Sequence, residues 1–329
     1  MKNQISNRKS KIIHLIAACV TLAAFGPLSA GALPNLGPLT NKVPLGAKHS
    51  LGQYVFETID APGRDVTTSF IYTFINNSGM LSQDYADAEG MFHYAIRNGN
   101  TWQVVEVPEA VITIGANPNN AGRVTLTWFD SNYDAHLAIW QDGRPLQYVA
   151  DVPGGYHYAS ANGFNDRGIA TAWTFLPWTD PELAYGLLQD THTGRYQFVI
   201  YPGADILWTQ TIMTNNSGTT VGSYTTLTYE FHAFTRDGDT FTNIDVPGGT
   251  NQYATFINNE SYIVGFYADA NGASVGFIRD PMGRVTDFTV PDALQTVPDC
   301  ITDNLKISGD YQAQDGSWHG FVATPAGRR

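Results

Sequence analysis

Six prolines recur at nearly even spacing along the chain, and this periodicity restricts the possible folds more than any other feature. Each proline closes a run rich in aromatic residues and threonine, and consecutive ones lie 44 to 49 residues apart, at Pro62, Pro108, Pro153, Pro202, Pro247 and Pro291. A fixed period in this range is typical of repeat proteins, in which each unit buries its apolar face against neighbouring units. The periodicity therefore predicts an array of similar units.

Each unit contains four short runs with the composition of β-strands. In the fifth unit, turn residues such as Asn258, Asn259 and Gly272 separate these runs, which cover residues 253–257, 262–267, 274–278 and 285–290. Asn and Gly favour tight turns because they tolerate positive φ. Four strands joined by hairpin turns in about 45 residues correspond to one propeller blade, whereas one coil of a solenoid needs fewer strands.

The other units repeat these parts, so the alignment does not depend on proline alone. The Asn-rich turn recurs at Asn76, Asn119, Asn165 and Asn215, with a degenerate form at Thr302. One position of the third strand recurs as His93, His136, Tyr185, His232, Val275 and His319. Positions shared by all units are explained by packing, and we therefore expect a structural role for these histidines rather than a metal site.

The two ends of the array are complementary. The run from Tyr54 to Asp60 matches the fourth strand of a unit, but the first three strands of that unit are missing. The last repeat, Cys300 to Thr324, has the first three strands of a unit and lacks the fourth. Pairing the first run with the strand around His319 to Val322 closes a ring without open sheet edges. The predicted fold is all-β: a six-bladed β-propeller of four-stranded blades over residues 51–329, the last blade closed by the N-terminal strand.

Several short motifs support this arrangement. They are Phe241-Thr242-Asn243-Ile244-Asp245-Val246-Pro247-Gly248, Ile257-Asn258-Asn259, Ile263-Val264-Gly265-Phe266-Tyr267 and His319-Gly320-Phe321. In these motifs the chain resembles the HAF-type extracellular repeat family of bacteria over nearly everything after residue 50. The resemblance implies a secreted repeat protein and supplies no catalytic residues. The second and third repeats depart most, with Trp128 in place of the tyrosine and Tyr185-Gly186-Leu187 in place of His-Gly-Phe.

The N-terminus has the features of a secretory signal. A basic segment containing Lys2, Arg8, Lys9 and Lys11 precedes a mostly apolar stretch, 12–28, and small residues. We expect a signal peptide over residues 1–32, cleaved near Ala30 or Ala32, a linker over 33–50, and a secreted or periplasmic protein. An alternative reads residues 16–19 as a lipobox that would leave an acylated Cys19. The apolar stretch continues well beyond Cys19, which favours ordinary cleavage.

Charge and cysteine content narrow the partners. The chain has 18 basic and 30 acidic residues, a net charge of −12, and loss of the signal peptide removes four basic residues and no acidic one. Such a chain repels phosphate backbones and anionic bilayers, so we expect no nucleic-acid partner. No later stretch is long and apolar enough to span a membrane. We also expect the protein to be a monomer. Cys300 alone remains after cleavage, and we expect it to be a small buried thiol.

A ligand site is expected where the units stop resembling one another. Strand alternation places the turns after the second strands, and the connections after each proline, on one face. In the third unit this turn expands to residues 173–182, and the aromatic and acidic residues of the region suit stacking on sugar rings and hydrogen bonding to hydroxyls. The predicted ligand-binding residues are Tyr156, His157, Tyr158, Trp173, Trp178, Asp180, Asp205 and Trp208.

The aromatic residues of this region also have a purely structural interpretation, packing the expanded turn onto the rim. Further polar candidates on the same face are read as solvated or turn-capping side chains: Arg64, Asp65, Asn251, Gln252, Tyr253 and Asp299. Acidic turns such as 84–90, 130–134 and 269–272 lack the ligand density of a calcium loop, and hairpin turns explain them. We predict neither a metal site nor a cofactor.

Two functions from different classes remain open. The first is a non-catalytic exported propeller that binds a glycan or another surface ligand, consistent with the lack of nucleophile, zinc and phosphate-binding motifs. The second is a carbohydrate-active hydrolase or lyase that uses carboxylates as general acid and base, with Asp65, Asp180, Glu182 and Asp205 as candidates. Catalysis needs two carboxylates facing one cleft, with the pKa of one raised by burial.

Overall fold

The computed structural model describes residues 54–69, 71–153, 157–175, 184–203 and 205–326. Within these ranges the chain forms 24 strands and no helix, so no helix there is able to cross a membrane. In chain order the strands are β1 (Tyr54–Ile59), β2 (Ile71–Ile75), β3 (Leu81–Ala86), β4 (Phe92–Asn98), β5 (Thr101–Val105), β6 (Ile112–Gly115), β7 (Arg123–Phe129), β8 (Ala135–Gln141), β9 (Gln147–Val149), β10 (His157–Phe164), β11 (Ile169–Phe175), β12 (Ala184–Asp190), β13 (Tyr196–Val199), β14 (Ile206–Thr214), β15 (Thr220–Thr226), β16 (Phe231–Asp237), β17 (Thr240–Ile244), β18 (Thr250–Ile257), β19 (Ile263–Ala268), β20 (Ser274–Arg279), β21 (Val285–Phe288), β22 (Gln295–Ile301), β23 (Ile307–Gln312) and β24 (Trp318–Pro325).

These strands form four sheets of four strands and one sheet of eight. Three of the four-stranded sheets are simple antiparallel meanders, β2 to β5 (the first sheet), β6 to β9 and β18 to β21. The eight-stranded sheet contains two more meanders, β10 to β13 and β14 to β17. A single parallel pair, Ala184 with Trp208, joins the two. The all-β architecture of four-stranded meanders is thus as predicted from the repeats.

The fourth four-stranded sheet, here called the closing sheet, joins the two ends of the chain in the order β1, β24, β23, β22. β1 lies antiparallel to β24, with Tyr54 opposite Pro325 and Ile59 opposite Gly320. This confirms the predicted pairing of the N-terminal strand with the last repeat. The pairing supplies partners to two strands that would otherwise be open edges.

The sheets pack side by side around a closed circle. The first strand of each meander contacts the middle strands of the preceding one, and β2 contacts β22, β23 and β24, which returns the circle to its start. The arrangement is therefore propeller-like. Its largest core cluster is built from alternate residues of the strands and includes Phe256, Phe277 and Phe321, all buried.

Glycines in the second strands make this close packing possible. A Cβ at Gly265 would collide with the Tyr253 carbonyl oxygen and with the Phe277 ring, and a Cβ at Gly222 would collide with the Gln210 carbonyl oxygen and the Phe234 ring. The missing side chain therefore leaves room for the phenylalanine of the adjacent strand. The Ile-Val-Gly-Phe-Tyr pattern thus has a packing explanation.

Cys300 lies in β22 and is buried, as predicted for a small apolar thiol. Its Sγ donates to the Ile75 carbonyl oxygen of the first sheet at 3.1 Å. Burial raises the pKa of this thiol. Both observations describe an inert packing residue at the junction between the closing sheet and the first sheet, here called the seam.

Candidate functional site

Because the strands alternate in direction, the ring has two distinct faces. The turns after the first and third strands of each meander lie on one side, here called the turn face. The turns after the second strands and the connections between meanders lie on the other, here called the loop face. The predicted ligand residues belong to the loop face.

The turn face is a closed circle of hydrogen bonds between neighbouring turns. In each turn a backbone N–H donates to the side-chain Oδ1 of the equivalent residue in the next turn, at 2.7 to 3.2 Å, and the last returns to the first. The six residues, in order, are Asn77, Asn120, Asp166, Asn216, Asn259 and Asp303. We call this set the turn ring.

Two aspartates stand three positions apart in the turn ring, and each binds both neighbouring amides. Asp303 Oδ2 accepts from the Nδ2 atoms of Asn77 and Asn259 at 2.6 and 3.0 Å. Asp166 Oδ2 accepts from the Nδ2 atoms of Asn120 and Asn216 at 2.8 and 2.9 Å. The hydrogen-bond donors and acceptors of the turn ring are thus satisfied within the ring itself. This indicates a structural role, in which the ring holds neighbouring turns together.

In the part of the loop face that the structure describes, no equivalent circle of side-chain hydrogen bonds joins neighbouring repeats. One equivalent position lies near the start of the first strand in each repeat, seven residues before the first residue of the turn that follows that strand. A different residue occupies it in every repeat: Ser69, Ile112, Tyr158, Trp208, Asn251 and Gln295. Trp208 is the largest of these side chains. It is half-buried, and it contacts buried Trp173 and Ala184 on one side and the cluster containing Phe231 and Tyr253 on the other.

Tyr229 completes an aromatic pair with Trp208. It lies in the turn between β15 and β16, with its side chain 53% exposed and a φ of 60°. The two ring centroids are 6.2 Å apart, with the ring planes at 76°. The pair presents an indole fixed by packing beside an exposed phenol, an arrangement able to contact a sugar ring with both.

Two carboxylates flank this pair. Asp205 is exposed immediately before β14, and its backbone carbonyl accepts from Leu227 N at 2.8 Å, which holds the Tyr229 turn against the start of β14. Glu230 is also exposed, and its Oε2 accepts from Thr228 Oγ1 at 3.1 Å. We call Asp205, Trp208, Leu227, Tyr229 and Glu230 the aromatic patch.

The structure places the predicted ligand residues in three groups. Trp208 and Asp205 lie together in the aromatic patch, whereas Trp173 is part of β11 and buried. The prediction that Trp173 belongs to an exposed turn is wrong, because β11 continues to Phe175 and its register against β12 directs the indole into the core. His157 and Tyr158 begin β10 at the loop face. Tyr156, Trp178 and Asp180 lie outside the described residues, as does Glu182.

Tyr229 was not among the residues predicted from the sequence. Its turn lacks glycine, and an aromatic residue in a tight turn between two strands has no packing explanation. That feature, rather than the expanded turn of the third repeat, was the available signal. Leu227, 58% exposed in the same turn, carries the same signal.

The further polar candidates divide into caps and buried groups. Asp65, Asn251 and Gln252 cap loops, accepting from Thr67 N, Phe231 N and Val246 N respectively. The other three, Arg64, Tyr253 and Asp299, are buried. The prediction that they are solvated or turn-capping side chains is therefore wrong.

Arg64 and Asp299 belong to a buried polar cluster at the seam. Thr73 N donates to Asp299 Oδ2 and Thr73 Oγ1 donates to Asp310 Oδ1, both at 2.9 Å. Arg64 Nη1 donates to Asp60 Oδ1 at 2.9 Å, and its Nε and Nη2 have no hydrogen-bond partner. The cluster binds the first sheet to the closing sheet, in addition to the apolar contacts at the same junction.

Burial perturbs the acids of this cluster. It raises the pKa of Asp299 to about 7 and raises the pKa of Asp310, to which the charge of Asp299 also contributes. Asp84 lies in β3, accepts from Gly115 N at 3.0 Å, and has a pKa raised well above its ordinary value by burial. Each of the three carboxyls is at most 3% exposed, so none faces an open cleft.

The recurrent histidines are held by aromatic rings and carboxylates. Four of them contact the ring of the aromatic residue opposite in the second strand, for example His136 and Trp128 with ring centroids 4.6 Å apart. Three also contact a carboxylate: His93 with Asp87, His136 with Asp151 and His319 with Asp60. Within the described ranges, no group of three metal-ligating side chains occurs.

Comparison with known proteins identifies the architecture and no family. No protein-family model and no curated protein matches the chain. Among solved structures, a mutant of AofleA from Arthrobotrys oligospora has a TM-score of 0.51 at 11% identity, over 82% of this chain and 86% of that one. The Pyrococcus horikoshii acylaminoacyl peptidase has a TM-score of 0.51 at 11% identity, over 81% of this chain and 48% of that one.

A third structural neighbour is the SapL1 lectin in complex with α-methyl fucoside. Its TM-score is 0.48 at 16% identity, over 79% of this chain and 99% of that chain. The neighbours thus include a lectin and a peptidase. Similarity at this level of identity concerns the fold alone, and the function has to be argued from the site.

Proposed function

We propose that the protein is an exported, non-catalytic β-propeller that binds a glycan through the aromatic patch. The observation that carries this proposal is the pairing of Trp208 with exposed Tyr229, flanked by the carboxylates of Asp205 and Glu230. Aromatic faces stack on the C–H face of a sugar ring, and carboxylates accept hydrogen bonds from its hydroxyls. The proposal keeps Tyr156, His157, Tyr158, Trp178 and Asp180 as predicted ligand residues.

The proposal includes a count of six blades. The meanders β10–β13 and β14–β17 share only one pair of residues, Ala184 and Trp208. Six turns also form the turn ring. Counting the eight-stranded sheet as two blades therefore gives six blades of four strands, as the proline spacing predicts.

The proposal also includes export. The basic and apolar segments at the N-terminus favour a signal peptide over residues 1–32, and the resemblance to HAF-type repeats is in keeping with a secreted or periplasmic protein. Mass spectrometry of the exported form tests this. A mature N-terminus near Gly31 or Leu33 supports it, whereas an intact Met1 or a lipid on Cys19 contradicts it.

A carbohydrate-active enzyme has weaker support. Of its four candidate acids, Asp65 is partly exposed, and hydrogen bonds from Thr67 lower its pKa, which suits a cap rather than a general acid. Among the described residues, the acids whose pKa is raised are Asp84, Asp299 and Asp310, and all three are buried. Within the described ranges, the exposed carboxylates of the aromatic patch, Asp205 and Glu230, are suited to binding hydroxyls.

A glycan array that includes neutral and fucosylated glycans tests the binding function. We expect the native protein to bind at least one glycan, and Trp208→Ala and Tyr229→Ala each to weaken that binding several-fold, since an aromatic contact contributes roughly 0.5 to 1.5 kcal/mol beyond its buried area. Incubating any bound glycan with the protein and analysing it for cleavage separates binding from catalysis.

Tyr196→Ala is a matched control. Tyr196 is 42% exposed on the outer strand β13, away from the patch, and its loss removes a similar aromatic surface. If Tyr196→Ala weakens binding as much as Tyr229→Ala, or if neither patch variant changes it, the aromatic patch is not the site. Release of a cleaved product would favour the enzyme instead.

A further inference from the structure

A second cleft opens on the turn face, at the seam between the first sheet and the closing sheet. Its volume is about 210 Å³, and it is separate from the aromatic patch on the opposite face. Ile75, Leu81 and Val322 form an apolar floor, and all three are buried. The polar lining comes from Glu57, Arg97 and Lys306, together with two glycines and a threonine, Gly79, Gly99 and Thr324.

The two cations of this cleft are poorly neutralised. Lys306 is the only lysine after Lys48, and it makes no ion pair with any described residue. Arg97 Nε donates to the Gly99 carbonyl oxygen at 3.0 Å, which fixes the guanidinium at the cleft. Its Nη1 lies 3.9 Å from Glu57 Oε1, a long contact to a side chain that is 68% exposed.

The chain has a net charge of −12, yet Arg97 has only the long contact to Glu57, and Lys306 has no carboxylate partner among the described residues. Arg284, by contrast, binds Asp280 at 2.6 Å. Two cations lining one small cleft over an apolar floor favour an anionic ligand that has an apolar side. The guanidinium suits a planar carboxylate, to which it can donate two parallel hydrogen bonds.

We propose that the seam cleft binds a monocarboxylate on a ring-sized body, of which a uronic acid is the chemical type. The carboxylate meets Arg97 and Lys306, and the C–H face of the ring covers Ile75, Leu81 and Val322. Glu57 accepts from ring hydroxyls at the mouth, and its charge disfavours a dianion such as phosphate. This site does not depend on the aromatic patch or on the proposed lectin function.

Calorimetric titration at low ionic strength tests the proposal with three probes: D-glucuronate, D-glucose and inorganic phosphate. We expect D-glucuronate to bind more tightly than the other two. Lys306→Gln and Arg97→Gln each weaken its binding about tenfold, the size expected for loss of one charge-assisted contact. Glu57→Gln strengthens it about twofold, because a like charge leaves the mouth.

Arg284→Gln is the control, since it removes one positive charge from the turn between β20 and β21, outside the residues that line the cleft. Tyr229→Ala excludes binding at the aromatic patch, and both variants are expected to bind D-glucuronate as the native protein does. No binding of D-glucuronate, equal binding of phosphate or glucose, or equal losses in Arg284→Gln and Lys306→Gln would each overturn the proposal. Thermal denaturation of every variant confirms that differences in binding do not come from unfolding.

Discussion

The turn face and the loop face are made by the same strands but differ in how strictly their six repeats agree. On the turn face, each position of the turn ring makes the same N–H to Oδ1 contact, whichever of Asn or Asp it holds. On the loop face, the equivalent starts of the first strands hold residues as different as Ile112, Trp208 and Gln295.

This difference separates the residues that make the ring from those available for binding. The same N–H to Oδ1 hydrogen bond is made at every junction of the turn ring. It requires an oxygen acceptor on a short side chain in a turn, which Asn and Asp supply. Where no such contact exists, the side chains are free to differ, and the exposed aromatic pair occurs there. The seam departs from both patterns, because buried acids and Arg64 lie there beside the apolar contacts.

Removal of β1 should have the largest effect, because it opens the ring on which both faces depend. A chain starting at residue 62 exposes the edge of β24, and we expect it to unfold or oligomerise. Thermal denaturation and light scattering measure this. A chain starting at residue 52 keeps β1 and serves as the control. An unchanged melting temperature and a monomer in the shorter chain would contradict ring closure by β1.

The buried acids at the seam should make stability fall as pH rises. The pKa of Asp299 is about 7 in the folded protein against an ordinary 3.8, so its contribution is fully present below the unfolded value and is lost as pH rises through the folded value. We expect urea denaturation to show lower stability at pH 8 than at pH 4 from this group, and Asp299→Asn to flatten that dependence.

Asp65→Asn is the matched control for the pH experiment. The pKa of Asp65 is lowered by Thr67, so any contribution from this group has the opposite sign and is lost as pH falls. The slope between pH 4 and pH 8 should therefore survive in Asp65→Asn. A slope that also survives in Asp299→Asn would assign it to other groups of the cluster, such as Asp84 and Asp310, and would contradict the role given to Asp299.

Loss of an aspartate from the turn ring should have a smaller effect. Asp303→Ala and Asp166→Ala each remove a carboxylate that accepts three hydrogen bonds, and we expect each to cost about 1 to 2 kcal/mol of the free energy of unfolding. Asp303 joins the closing sheet to the first sheet, so comparing the two by denaturation shows whether the seam is the weaker junction. A cost near zero for both would remove the turn ring from the explanation of stability.

The aromatic patch should contribute least to stability. Tyr229→Ala removes an exposed side chain, and we expect the free energy of unfolding to change by less than about 0.5 kcal/mol. Trp208→Ala should cost more, since one side of its indole packs against Trp173. Denaturation of both variants measures this difference. A large loss of unfolding free energy in Tyr229→Ala would show that this residue has a structural role. It would contradict the distinction drawn between the two faces.

Several features of the fold were predictable because they depend on local composition. The spacing of Pro62 and its equivalents gives the repeat, and the Asn-rich turns give the hairpins. The orphan strand at Tyr54 predicts closure, because an unpaired edge is unfavourable. The burial of Cys300 and the structural role of the histidines follow from their places within strands.

The candidate ligand site was harder to predict from the sequence than the fold. Whether a tryptophan is buried depends on strand register, and a shift of one residue reverses the side of the sheet that it occupies. Trp173 and Trp208 are alike in sequence context, yet one is enclosed and the other half-buried. The pairing of Tyr229 with Trp208 was missed because the two residues are 21 positions apart and only the tertiary structure brings their rings together.

The sequence alone determined the repeating strand and turn pattern and the pairing of its two ends, because periodic composition and unpaired edges are properties of the chain itself. The tertiary structure alone decided which side chains meet across junctions. Asp299 and Asp310 become a buried pair, Arg97 and Lys306 come to line one cleft, and Trp208 meets Tyr229, because circular packing brings together residues whose distance along the sequence carries no signal of contact.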